Sequence, residues 1–224
     1  MKRLIIIGEG QTEQSFCNDL LQSHFNERDI FIQNPTIKKT HGGIVNWEAL
    51  KFQIEGHLKQ DPTATVTTLI DFYGIYEHHA YPEWVNTQSV IDKSERLSLI
   101  ESGMLNDINI DLRNRFIPYI QLHEFEGLLF CDIDVFNRSF NHKEFSDYPY
   151  LQKTIAENPN PETINDGNLT APSKRLEKII SNYNSGKESL KVVYGSLLAQ
   201  EIGLTAIRAK CPRFNNWISK LESI

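Results

Sequence analysis

The spacing of apolar residues changes character several times along the chain, and each change predicts an element. Leu4-Ile5-Ile6-Ile7 is an unbroken branched apolar run closed by Gly8-Glu9-Gly10, and beyond Thr12 the apolar positions Phe16, Leu20, Leu21 and Phe25 recur at helical spacing. This predicts a buried strand, a tight glycine turn and an amphipathic helix. Residues 30 to 37 then alternate apolar and polar, His41-Gly42-Gly43 breaks the alternation, and Asn46 is placed to cap a helix carrying Trp47, Leu50, Ile54 and Leu58. A third strand, Val66 to Ile70, ends at Asp71, and an aromatic, polar segment from Tyr73 to Trp84 follows without clear periodicity.

Helical spacing returns at Val90, Leu97, Ile100, Met104 and Leu105, and residues 115 to 121 read as a fourth strand in which Pro118 marks an edge position or a bulge. His123-Glu124-Phe125-Glu126-Gly127 then reads as a sharp exit into a short helix. Strands alternating with helices predict an α/β fold: a mostly parallel four-stranded sheet with helices on both faces. From about residue 135 the strand pattern stops. Pro159, Pro161, Gly167 and Pro172 punctuate a loop, and helices are predicted near 173–184, 187–202 and 213–223. The division expected is an α/β domain over 1–135 and a helical C-terminal extension over 136–224 packed on it.

Charge narrows the function. The whole-chain value of −6 excludes a basic coat for wrapping nucleic acid, but it averages two unlike parts. Residues 1–168 carry 14 basic against 25 acidic side chains, net −11, whereas 169–224 carry 9 against 4, net +5. Cys17, Cys131 and Cys211 form no CxxC pair, which argues against a disulfide framework or zinc knuckle and suits buried small side chains in a reducing compartment. Apolar runs are too short for a membrane span, so a cytoplasmic protein is expected.

Parallel sheets gather ligands at the carboxyl ends of their strands. Acidic residues stand at three such ends: Glu9 after the first strand, Asp71 after the third, and Glu124 with Glu126 after the fourth. Glu13 lies one helical turn beyond Glu9. Converging carboxylates repel one another unless a cation sits among them, and Mg²⁺ or Mn²⁺ with oxygen ligands is the natural occupant. Glu9, Asp71, Glu124 and Glu126 are therefore candidate metal ligands, and Glu9, Glu13 and His123 candidate proton-transfer groups. The bland readings are helix N-terminal charges for the acids and a strand-end hydrogen bond for the histidine.

The strand closing on Gly8-Glu9-Gly10-Gln11-Thr12-Glu13, with Asp71 following Leu69-Ile70, resembles the motifs of Toprim domains in residue type and order. Over nearly its full length the chain is similar to a bacterial domain-of-unknown-function family of Toprim-like proteins, near the RloB-like and OLD-type nucleases of restriction and phage defence. Ile70-Asp71-Phe72-Tyr73-Gly74, residues 121 to 130, and Ala171-Pro172-Ser173-Lys174-Arg175-Leu176 carry that likeness. It implies Glu9 as the acid/base or metal-linked glutamate and Asp71 as a metal ligand. One departure stands out: Tyr73 occupies the place of the second aspartate, which leaves Glu124 or Glu126 to supply the missing ligand.

These features lead to an expected metal-dependent hydrolysis of DNA or RNA phosphodiesters. The rivals are a non-catalytic or conditionally active partner of a defence ATPase encoded nearby, and a phosphatase on a small phosphoester. Nucleic acid, that ATPase and a second copy of the chain are the partners expected. Lys174, Arg175, Arg208 and Lys210 are candidate phosphate contacts, with a solvated face or intramolecular pairing as the alternative. The aromatics from Phe72 to Trp84 are candidates for base stacking or for covering a sheet end. His41-Gly42-Gly43 reads as a turn or a backbone approach to substrate, and His78-His79 as neighbours whose rings point apart.

Overall fold

A computed structural model describes residues 2–38, 43–165, 167–183 and 188–224, the side chains of residues 188 and 189 excepted. The His41-Gly42 part of the predicted glycine turn lies outside them. The sheet order is β2 (Ile30–Gln33), β1 (Lys2–Gly8), β3 (Ala64–Asp71) and β4 (Phe116–Ile117), with β5 (Ile120–Gln121) also on β3; every pairing is parallel. β4 and β5 are the predicted fourth strand, interrupted at Pro118-Tyr119. The register is the same on both sides of the break, with Thr67 opposite Ile117 and Ile70 opposite Ile120. Proline lacks the N–H that the ladder needs, and the Thr68 hydroxyl substitutes by bonding both Tyr119 N and Tyr119 O, at 3.1 and 2.7 Å.

Alternation along β1 divides the core into two layers. Ile5 and Ile7 face α3 (Trp47–Gln60) and α4 (Lys93–Asp107), joined by Phe72, Tyr81 and Trp84. Leu4 and Ile6 face α1 (Gln11–Phe16), which continues through a π-helical turn (Cys17–Leu21) into α2 (Gln22–Asn26), and they share that face with nearly all of the C-terminal helices. These are α5 (Ile133–Ser139), α6 (Tyr148–Glu157), α7 (Pro172–Ile179), α8 (Glu188–Ile202), α9 (Leu204–Lys210) and α10 (Pro212–Glu222). The C-terminal part thus supplies one outer layer of an α/β/α sandwich. Trp217 of α10 shows how firmly: it is 2% exposed, stacks on Tyr119 at 4.5 Å and donates its indole N–H to Thr67 Oγ1 at 2.9 Å. Burial of such a side chain stabilises the fold by about 2–3 kcal/mol.

Local signals explain the element ends. Asn46 Oδ1 accepts from Ala49 N at 2.9 Å and starts α3 as predicted. α4 begins at Lys93 rather than near Val90, because Asp92 Oδ1 caps it through Glu95 N. α5 and α6, absent from the sequence-based assignment, are capped by Asp132 and Asp147. α9 is a separate helix because Gly203, at φ +78°, turns the chain by 85° after α8. The three cysteines are buried thiols, Cys131 Sγ lying 3.8 Å from Cys211 Sγ. No single helix among the described residues is long and apolar enough to cross a membrane.

Candidate functional site: a carboxylate pocket at the sheet's carboxyl edge

The strand-end acids come together. β1 ends at Gly8, where a Cβ would lie 3.0 Å from Glu13 Cβ, so glycine permits α1 to start directly over the strand. Gly10 N donates to Glu13 Oε2 at 2.8 Å, which turns the Glu13 carboxylate back toward the strand end. Glu9 stands beside it, and Asp71 N approaches Glu9 Oε2 at 3.5 Å. Asp71 Oδ1 accepts from Phe125 N at 2.9 Å, joining the third strand end to the segment that carries Glu124 and Glu126.

That segment is aimed by an unusual backbone. His123 has φ +65°, rare for a residue with a side chain, and its carbonyl accepts from Tyr73 N at 3.0 Å. The reversal leads into a 3-10 helix (Phe125–Cys131) whose residues are all buried. Glu124, on its N-terminal side, accepts from Ser173 N and Ser173 Oγ at 2.8 and 3.1 Å. Glu126 accepts from Lys191 Nζ at 2.6 Å, with the Glu126 side chain 4% exposed.

Electrostatics mark these acids as one group. Burial pushes Glu13 up to about 7, aided by the charges of Glu9 and Glu126 and opposed by its backbone hydrogen bonds. Burial likewise holds Asp71 well above the usual carboxylate range, and Glu13, Glu9, Glu126 and Glu124 push in the same direction. Glu124 is raised by burial and then by Glu126, against its bonds to Ser173. Lys191 responds in the opposite sense: burial favours its neutral form, but Glu126, with Asp71 and Glu124 behind it, outweighs this and raises its pKa. Tyr81, 3% exposed, is raised by burial and by Glu9, and its hydroxyl has no hydrogen-bond partner among the described residues.

The other candidates have different surroundings. The His123 ring is buried and lines a groove of about 870 Å³ with Ser94, Thr163 and Asn165. Tyr73 occupies the expected aspartate position and donates its hydroxyl to Asn168 Oδ1 at 3.3 Å. Lys174 is exposed and paired with Glu177 at 2.8 Å. Arg175 donates to Thr170 O, Thr154 Oγ1 and Asn165 Oδ1. Arg208 is held by Glu222, Asn215 and Ser219. Lys210 is exposed at the end of α9.

Of the aromatics, Phe72, Tyr81 and Trp84 belong to the core, with the Arg96 guanidinium 4.6 Å from the Trp84 ring centre. Tyr76 remains 53% exposed. The His78 and His79 rings do not point apart: their centres are 4.1 Å from each other, because a 3-10 turn (Glu77–His79) folds them together under a bond from Tyr76 N to His79 Nδ1.

Sequence reasoning missed Lys191 and Ser173, which helices α8 and α7 bring to the pocket. The chemistry is a set of hard oxygen donors with excess negative charge, a type that suits a divalent cation. Among the described residues no group of three or more His, Cys, Asp or Glu side chains is arranged to hold a metal ion; Asp71, Glu124 and Glu126 are held by Phe125 N, Ser173 and Lys191.

A parallel sheet between two helical layers, with acids gathered at the strand carboxyl ends, places the chain in the broad class of α/β folds. The chain is a member of the family described as Domain of unknown function (DUF4276), whose model matches residues 8–222. No curated protein and no solved structure matches it.

Proposed function

We propose that the protein is a Toprim-like, Mg²⁺- or Mn²⁺-dependent phosphodiesterase acting on DNA or RNA in a bacterial defence or restriction-linked setting. The observation that carries this reading is the meeting of Glu9, Glu13, Asp71, Glu124 and Glu126 at one sheet edge, with Glu13 and Asp71 raised partly by their acidic neighbours. Glu9, Asp71 and Glu126 are the residues that would hold the cation, Glu126 taking the place left by Tyr73. A bound Mg²⁺ or Mn²⁺ supplies charge neutralisation at the phosphate oxygens and acidifies water.

The chain's own contribution is positioning and proton transfer. Glu13, pushed up to about 7 and fixed by Gly10 N, is poised to accept a proton near neutral pH. Phe125 N fixes Asp71, and Ser173 orients Glu124 from the far side of the pocket. A Toprim-like identity is further supported by the order Glu9 then Asp71 at the ends of the two neighbouring central strands, β1 and β3.

A second reading is favoured by a separate observation. Asp71 and Glu124 are held by protein donors and Glu126 by a lysine, which suits a subunit that becomes active only with a partner such as an ATPase. The test is cleavage of plasmid DNA and of RNA with Mg²⁺ or Mn²⁺, beside Glu9→Gln and Asp71→Asn. Loss in both variants is expected. Cleavage that survives both changes sinks the site, and cleavage appearing only on addition of the neighbouring ATPase selects the second reading.

A further inference from the structure

Two of the three cysteines meet at a place that the proposed chemistry does not use. Cys131 closes the 3-10 helix that carries Glu126. Cys211 forms the corner between α9 and α10, where its N–H completes α9 through Ile207 O and its carbonyl opens α10 through Asn215 N. The two positions are 80 residues apart in the chain, yet their sulfurs lie 3.8 Å from each other, and the residues are 4% and 0% exposed. Packing holds them there. The Phe16 ring meets Phe125 of the 3-10 helix at 5.0 Å and Phe214 of α10 at 5.9 Å between centres, so both segments lean on one aromatic side chain. Cys131 has a single S–H, which it donates to Leu128 O at 3.1 Å; the hydrogen between the two sulfurs is therefore that of Cys211.

To bond, the sulfurs must approach by about 1.8 Å, from 3.8 Å to the roughly 2.05 Å of a disulfide, a displacement within reach of side-chain rotation. We propose that Cys131 and Cys211 are a redox-responsive staple: free thiols at rest, which close into a disulfide when the protein meets a peroxide and so fix the 3-10 helix to the α9–α10 corner. The Cys131 sulfur attacks the O–O bond of hydrogen peroxide, becoming a sulfenic acid as one water leaves. The Cys211 sulfur then attacks the sulfenic sulfur and expels a second water, so the thiols together give up two hydrogens and two electrons and the peroxide is reduced to water. The roles follow from the hydrogen bond: donation to Cys131, and then burial, push the Cys211 thiol far above its ordinary range, which leaves Cys131 to attack and Cys211 to resolve. Thiolate is the reactive form and burial disfavours it, so the staple answers sustained rather than brief exposure. Cys17, also buried, has no sulfur contact among the described residues and remains a thiol. None of this depends on what the carboxylate pocket binds.

The experiment exposes the folded full chain to hydrogen peroxide and quenches with catalase. One portion is denatured in N-ethylmaleimide for intact mass and peptide mapping, and another is melted. Wild type and Cys17→Ala are expected to lose two hydrogens and to yield a peptide pair joined through residues 131 and 211. They are expected to melt about 10 °C above the reduced protein, because closing a loop of this length restricts the unfolded chain, and dithiothreitol is expected to reverse the shift. Cys131→Ala and Cys211→Ala, checked for folding by circular dichroism, are expected to show neither the crosslink nor the shift. The wild-type peptide map settles the pairing whether or not those variants fold. Alkylation of all three cysteines in the exposed wild type overturns the proposal, as does a bond that involves Cys17 or a second chain, or oxidation of Cys131 to the sulfinic acid without a crosslink. A bond between 131 and 211 that leaves the melting temperature unchanged overturns the stapling role.

Discussion

Glu13 offers the most quantitative check on the pocket. Its carboxyl rises from 4.5 to about 7 on folding, so the folded state disfavours the ionised form by about 3 kcal/mol. The folded value lies above the unfolded one. The stability associated with a neutral Glu13 is therefore fully present below pH 4.5 and is lost between about 4.5 and 7. Glu13→Gln removes the titration while leaving an amide oxygen to accept from Gly10 N. Urea unfolding of the metal-free protein should show the variant more stable than wild type by about 1 kcal/mol at pH 5 and about 3 kcal/mol at pH 8. Adding Mg²⁺ should narrow the gap at pH 8, because a cation offsets the charge that the glutamine removes. A difference that does not change with pH, or a variant less stable at pH 8, refutes the claim that Glu13 is an uncomfortable charge.

Two further outcomes separate scaffold from site. Arg208→Ala should lower the melting temperature, at a cost of about 1–2 kcal/mol for its bonds to Glu222, Asn215 and Ser219, while leaving the salt dependence of nucleic-acid binding unchanged. Glu162, 1% exposed, accepts from Arg213 N and Phe214 N at 2.9 and 3.0 Å at the start of α10. Its replacement by alanine should cost about 2–3 kcal/mol in urea unfolding, since it strands two buried donors and loosens the helix that carries Trp217.

The first half of the fold is legible in the sequence because its signals are local. An apolar run ending in glycine, an asparagine before a helical stripe and a proline in the last strand each specify geometry within a few residues, and the sheet order follows from parallel crossovers. The same logic places Glu9, Asp71, Glu124 and Glu126 at one edge, since strand ends of a parallel sheet share that edge. α5 and α6 were hidden because their aspartate caps are followed by aromatic and polar residues rather than a clear stripe. Lys191 is the lone basic residue of its helix, and its meaning appears only when Gly195 lets α8 dock. Arg208 illustrates the reverse case: of the two readings its sequence allowed, phosphate contact or intramolecular pairing, the structure supplies pairing, with partners that tie α9 to α10.

The cluster's dependence on α7 and α8 also bears on the order in which its parts can assemble. Glu9 is made well before Ser173 and Lys191, which organise Glu124 and Glu126. Trp217, which locks the last helix onto Thr67, comes later still. A nascent chain holding every proposed acid thus lacks the groups that arrange them and the layer that covers one sheet face. The arrangement of these acids is therefore a property of the whole sandwich rather than of the sheet that carries them.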